Sequence, residues 1–204
     1  GATRRVDRVT RWEWGGPGQW ELGLGSGAGA GGVSGAWGPT GAGLVQVGVL
    51  EVTDAELADL PDDPTDRLHV LSHAWAAATA TPMLIRASGM PDLTVAVAEP
   101  GPLIAMKLQS IMNRGAAKEG TDLLDIVRLS LDPAAGPVLR SQLEAADLQL
   151  REDASLHAKR WFEDHADRSL RLARAIPEGR DTQLDDLHLV GELLQSALIA
   201  RPQA

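Results

Sequence analysis

LIAMKLQSIMNRGAAKEGTDLLDI runs from Leu103 to Ile126. Apolar residues recur in it at helical spacing, yet Lys107 stands between Met106 and Leu108, and Arg114, Lys118, Asp122 and Asp125 follow. Steps of four, three and four put Leu103, Lys107, Ser110 and Arg114 on one stripe of a helix over 101–114. Ile104, Leu108 and Ile111 form the adjoining apolar stripe. Lys107 therefore sits at the border of the buried face, where its stem can pack while its ammonium reaches a cleft. Asp122 and Asp125 share a face of the next helix, over 119–131. A short turn at GAAKEG sets the two helices antiparallel and brings cations opposite carboxylates. The residues alone leave two readings open: a salt bridge between helices or solvated helix ends, and a Lys–Arg pair that binds phosphate with the carboxylates orienting it.

Around this stretch the chain has a strand-rich front and a helical back, joined near Pro100. LVQVGVLEV over 44–52 is β-branched and partly alternating, as a strand requires. TDAELADLPDDP is a short acidic helix or turn stopped by Pro61 and Pro64. A helix over 65–79 starts at a Thr or Asp cap and carries Leu68, Leu71 and Trp75 at helical spacing. TPMLIRAS and DLTVAVAEP are two strands joined by SGMPD. Further helices are expected over 135–147, from about Asp153 to Ile176 without a break, and over 182–200. Residues 11–43 are Gly-, Ala- and Trp-rich without period and are expected to be a poorly ordered segment or long loop, since glycine loses much entropy on ordering. The expected domains are an irregular or degraded segment over 1–43, a partial sheet domain over 44–100 and a helical domain over 101–204.

Composition narrows the chemistry. The 204 residues are 44% hydrophobic and 23% charged, the balance of a globular protein with a core. No cysteine is present, so disulfides, thiolate metal sites and cysteine nucleophiles are excluded. A net charge of -9 argues against a general nucleic-acid coat but leaves room for a local basic pocket. The sequence has no long apolar run and no secretory h-region, so no membrane partner and a cytoplasmic location are expected.

LIAMKLQSIMNR…K…TDLLDIVRL resembles the C-terminal signature of the abortive-infection nucleotidyltransferase toxins of the AbiEii/AbiGii type. In that pattern a Lys-Leu pair opens a helix, an Arg follows, and Lys-x-x-x-Asp-Leu-x-Asp begins the next helix. VLEV, HAWAAATATP and LTVAVAEPGPLIAMKL fit the same layout, so the likeness covers about residues 44–200. It implies an α/β (α+β) fold, with a small mixed nucleotidyltransferase-like sheet followed by a C-terminal helical bundle. It also implies a toxin, paired with an antitoxin protein, that moves a nucleotide from a nucleoside triphosphate to an RNA (tRNA) or protein acceptor with Mg²⁺. On this reading Lys107 contacts the triphosphate, Asp122 orients Lys107 or binds substrate, and Arg114, Lys118 and Asp125 are further substrate contacts. Asp7 matches the second carboxylate of the metal-binding pair, and Glu51 lies in the strand region where a third is expected. Arg5 occupies the first carboxylate position, where a cation would repel Mg²⁺. The N-terminal catalytic motif is thus degraded or truncated, and a catalytically inactive remnant that binds nucleotide or a partner is the alternative.

Other features read more plainly. GAGAGG at 27–32 fits G-x-G-x-x-G, but no strand precedes it and no helix follows in the sequence pattern. His69 and His73, and likewise His157, Asp164 and His165, lack a convincing third metal ligand. Trp161 and Phe162 are expected in the core. Arg168, Arg171 and Arg174 share a helical stripe, either a solvated face or a contact for RNA or an acidic partner.

Overall fold

The computed structural model describes residues 10–16, 19–24, 34–40, 43–49, 52–86, 92–113 and 116–199. The chain divides into two compact units, Gly1–Glu51 and Val52–Ala204. The boundary expected near Pro100 falls inside the second.

In the first unit, β1 (Thr10–Gly16) pairs antiparallel with β2 (Gln19–Leu24), setting Trp14 opposite Trp20 and Trp12 opposite Leu22. β3 (Ser34–Thr40) pairs antiparallel with β4 (Gly43–Val49). The strand expected over 44–52 is present as β4. The loop expected over 11–43 is not: three strands occupy most of it. An antiparallel ladder is made by backbone groups, which glycine supplies like any residue other than proline, so a Gly-rich stretch can still pair.

The second unit is mostly helical. Asp54–Ala58 forms α1, closed by a capping box in which the Glu56 N–H donates to Thr53 Oγ1 at 3.3 Å and the Thr53 N–H donates to Glu56 Oε2 at 2.8 Å. Asp63 caps α2 (Pro64–Thr79), its Oδ1 accepting from the N–H groups of Thr65 and Asp66, with Pro64 in the first turn. β5 (Thr81–Ile85) and β6 (Leu93–Val97) form a hairpin in which Met83 faces Val95. The strands of the described residues thus make three separate two-stranded antiparallel sheets, not one small mixed sheet. Mixed α/β composition with helices in the majority is what the structure has.

Pro100–Ser110 is α3, extended by a 3-10 turn over Ile111–Asn113, and Ala116–Leu131 is α4. Ala135–Glu144 is α5, Leu148–Lys159 is α6, Ala166–Arg174 is α7 and Leu184–Ile199 is α8. One core joins them: Leu68 of α2, Ile104 and Leu108 of α3, Leu123 and Ile126 of α4, Leu139 and Leu143 of α5, Leu150 of α6, and Leu187, Val190 and Leu194 of α8 are buried together. Ile104, Leu108 and Ile111 are fully buried, so the apolar stripe of α3 is the one its spacing predicts. Arg67 of α2 ties to α6 by a fork, Nε and Nη2 donating to the buried Asp153 at 2.8 and 2.7 Å, while Nη1 donates to the carbonyls of Pro61 and Asp62. No helix among the described residues is long and apolar enough to cross a membrane.

The long helix expected to about Ile176 is broken. Arg160–Asp164 makes a π-helical turn between α6 and α7. The His165 N–H passes over the Trp161 carbonyl and donates to Arg160 O at 3.0 Å. The Trp161 carbonyl accepts instead from the buried Ser169 hydroxyl at 2.7 Å. The inserted residue keeps Trp161 and Phe162 both buried. Phe162 meets α8 at Gly191, where an added Cβ would lie 3.1 Å from Phe162 Cβ.

Candidate functional site

Four side chains converge where α3 crosses α4. The Lys107 ammonium donates to Asp122 Oδ1 at 2.9 Å and to Asp125 Oδ2 at 2.7 Å. The Ser110 hydroxyl lies 3.1 Å from the Lys107 carbonyl and 3.0 Å from Asp122 Oδ2, either of which can accept its proton. Ser110, later in α3, meets Asp122, earlier in α4, so the helices run antiparallel as the short turn implies. A spacing of three in each helix, Lys107 to Ser110 in α3 and Asp122 to Asp125 in α4, brings these groups together.

Burial is unequal across the cluster. The Asp122 side chain is 4% exposed, Lys107 18% and Asp125 38%. Removing the ammonium from water lowers the Lys107 pKa, but hydrogen bonds to Asp125 and Asp122 and their negative charges outweigh this and hold it above the ordinary lysine value. Lys107 is therefore a cation at any physiological pH, and Asp125 is the solvent-facing member of the group. Chemically, the arrangement is one cation fixed between two carboxylates, with one edge open to water.

The other expected site residues fare differently. Lys118 is on α4 and exposed. Asp7, Glu51 and Arg114 lie outside the described residues, as does GAGAGG. His69 and His73 stack at 4.1 Å between ring centroids, and the His73 Nδ1–H donates to the His69 carbonyl at 2.6 Å, which is helix packing. His157 is buried and His165 exposed. No group of three or more His, Asp or Glu side chains that could hold a metal occurs among the described residues. The arginine stripe is largely used internally. Arg168 Nη2 donates to Glu119 at 2.6 Å, and Arg174 donates to the Thr182 carbonyl and to Gln183 Oε1.

Sequence reasoning placed Trp161 in the core, where it is, but missed what surrounds it. The guanidiniums of Arg160 and Arg168 lie over its ring, 5.6 and 5.4 Å from the centroid. The signal was present as Arg160 beside Trp161 with Arg168 two turns on, but the π-helical turn that sets their angle is invisible to a regular helical count. Comparison of the chain with protein-family models, with curated proteins and with solved structures gives no match.

Proposed function

We propose that this chain is a nucleotidyltransferase-like toxin of a toxin–antitoxin system, transferring a nucleotide from a nucleoside triphosphate to an RNA (tRNA) or protein acceptor. The observation that supports this is the Lys107 cluster, in which the Lys and both Asp residues of the resembled signature meet within hydrogen-bonding distance. In this reading Asp122, buried and held by Ser110, orients the ammonium. Lys107 turns its charge to the phosphates of the triphosphate as Asp125 yields to solvent. Arg114 and Lys118 of the resembled signature add positive charge, Lys118 from α4. An antitoxin protein is the partner this function requires.

The ion that such chemistry uses is Mg²⁺. The described residues do not fit it: no metal-binding group of three is found among them, and the Lys107 ammonium already stands between Asp122 and Asp125, where a cation would go. Asp7 and Glu51 are the ligands that the proposal needs.

A second reading has its own supporting observation. Two carboxylates already balance Lys107, so the cluster carries a net negative charge and offers a triphosphate less than a free lysine would. This favours a catalytically inactive relative in which the cluster is a tie between helices and any remaining function is binding of nucleotide or a partner.

Isothermal titration of the full chain with each nucleoside triphosphate, with and without Mg²⁺, separates the two. The transferase reading expects binding that needs Mg²⁺ and weakens about tenfold or more in Lys107→Gln. Binding that ignores Mg²⁺, or none by a folded chain, supports the second reading.

A further inference from the structure

Beside the π-helical turn lies a cleft of about 260 Å³. Its apolar wall is Ile111 and Met112, and Trp161 forms part of the lining. Arg160, Arg168 and His165 bring positive or protonatable groups to it, against the single carboxylate of Glu119. Lys107, Asp122 and Asp125 do not line it, so it is separate from the cluster discussed above.

Both guanidiniums rest on the ring of Trp161. Lying over the indole ring, the guanidiniums of Arg160 and Arg168 are held in place at a reduced entropic cost. Arg160 is exposed and makes no hydrogen bond or ion pair to another described side chain. Arg168 spends one N–H on Glu119, and a guanidinium has five. A π-helical turn in an otherwise regular helix frequently marks a functional position.

We infer that this cleft binds a small aromatic anion: one planar ring bearing a single phosphate or carboxylate. The guanidiniums take the anionic group in fork geometry. The ring covers the partly exposed Met112, behind which Ile111 is fully buried, and the thioether suits a flat apolar face. The size sets the limit, because a cleft of about 260 Å³, just below the small-molecule range of about 300 Å³ and upward, holds one ring and one anionic group but not a nucleoside triphosphate.

The test is a two-dimensional NMR titration of the full chain with phenyl phosphate, benzoate, inorganic phosphate and sodium chloride. It follows the Trp161 indole N–H, assigned by its loss in Trp161→Phe. Saturable shifts of that signal with phenyl phosphate or benzoate, about tenfold tighter than with inorganic phosphate, are expected. They should weaken about tenfold in Arg160→Gln, an exposed substitution that leaves the fold intact by circular dichroism. Which of the two aryl probes binds more tightly identifies the anionic group. Shifts that never saturate, that chloride reproduces, or that persist unchanged in Arg160→Gln would overturn the inference.

Discussion

The ammonium of Lys107 stands 2.9 Å from the carboxylate of Asp122, and Asp122 is the most deeply buried member of the charge cluster that joins α3 to α4. Asp125 completes the pair of carboxylates at 2.7 Å from the open side. A buried ion pair adds little over a well-packed apolar substitute, but losing one partner leaves an uncompensated charge. The cluster should therefore respond asymmetrically. Lys107→Met should cost about 3 kcal/mol in urea unfolding, and Asp122→Asn in that background should restore part of the loss. Asp125→Asn alone, at an exposed site, should cost about 1 kcal/mol or less.

Arg67 and Asp153 offer a sharper case, because the Asp153 side chain is only 2% exposed and both its oxygens are taken by one guanidinium. Arg67→Ala should destabilise by about 3–5 kcal/mol. Arg67→Lys should recover less than half of that, since a point charge cannot reproduce the fork. Thermal melts of the three proteins decide it.

At Gly120 of α4 an added Cβ would lie 2.4 Å from the Leu172 carbonyl oxygen of α7, and at Gly179 2.2 Å from that of Ala173. Both contacts are with backbone, which cannot swing aside. Gly120→Ala should cost about 1–3 kcal/mol despite its better helix propensity. An unchanged unfolding midpoint for Gly120→Ala would mean that α4 and α7 are not in this close contact.

His157 gives the pH dependence. Neither ring nitrogen has a hydrogen-bond partner among the described residues. Burial, reinforced by the charge of Arg160, pushes its pKa below the ordinary 6.5. The unfolded chain therefore takes up the proton first as pH falls, and uptake favours unfolding. The contribution of His157 to stability is complete above the unfolded value of 6.5, declines as pH drops below it, and levels off beneath the folded pKa. Unfolding midpoints between about pH 8 and pH 5 should show this decline, and His157→Leu should flatten it.

Much of this fold was legible before any coordinate. Helices with clear ends were placed within a few residues: α2, expected from Thr65 with Pro64 read as the stop of the segment before it, starts at Pro64 under an Asp63 cap, and the Asp132–Pro133 stop after α4 is a chemical signal that tertiary contacts did not override. The Lys107 pairing was legible because it needed only helical spacing and a short turn. The break at Arg160 was not, since AKRWFEDHADRS contains neither Gly nor Pro, and the turn depends on the Ser169 hydroxyl and on Gly191 making room for Phe162. The Arg67–Asp153 fork was hidden for another reason: its partners are 86 residues apart, and no local pattern links them. Strands β1 to β3 were missed because the abundance of glycine outweighed a short alternation, Trp12 and Trp14 in β1 and Trp20, Leu22 and Leu24 in β2.

The most direct test of the transferase reading is transfer itself. The purified full chain would be incubated with Mg²⁺, each labelled nucleoside triphosphate and total tRNA, alongside Lys107→Gln checked for folding by circular dichroism. Label on RNA or on protein, lost in the variant, is the result the proposal predicts. A folded chain that moves no label from any of the four triphosphates would contradict it and leave the Lys107 cluster as a tie between two helices.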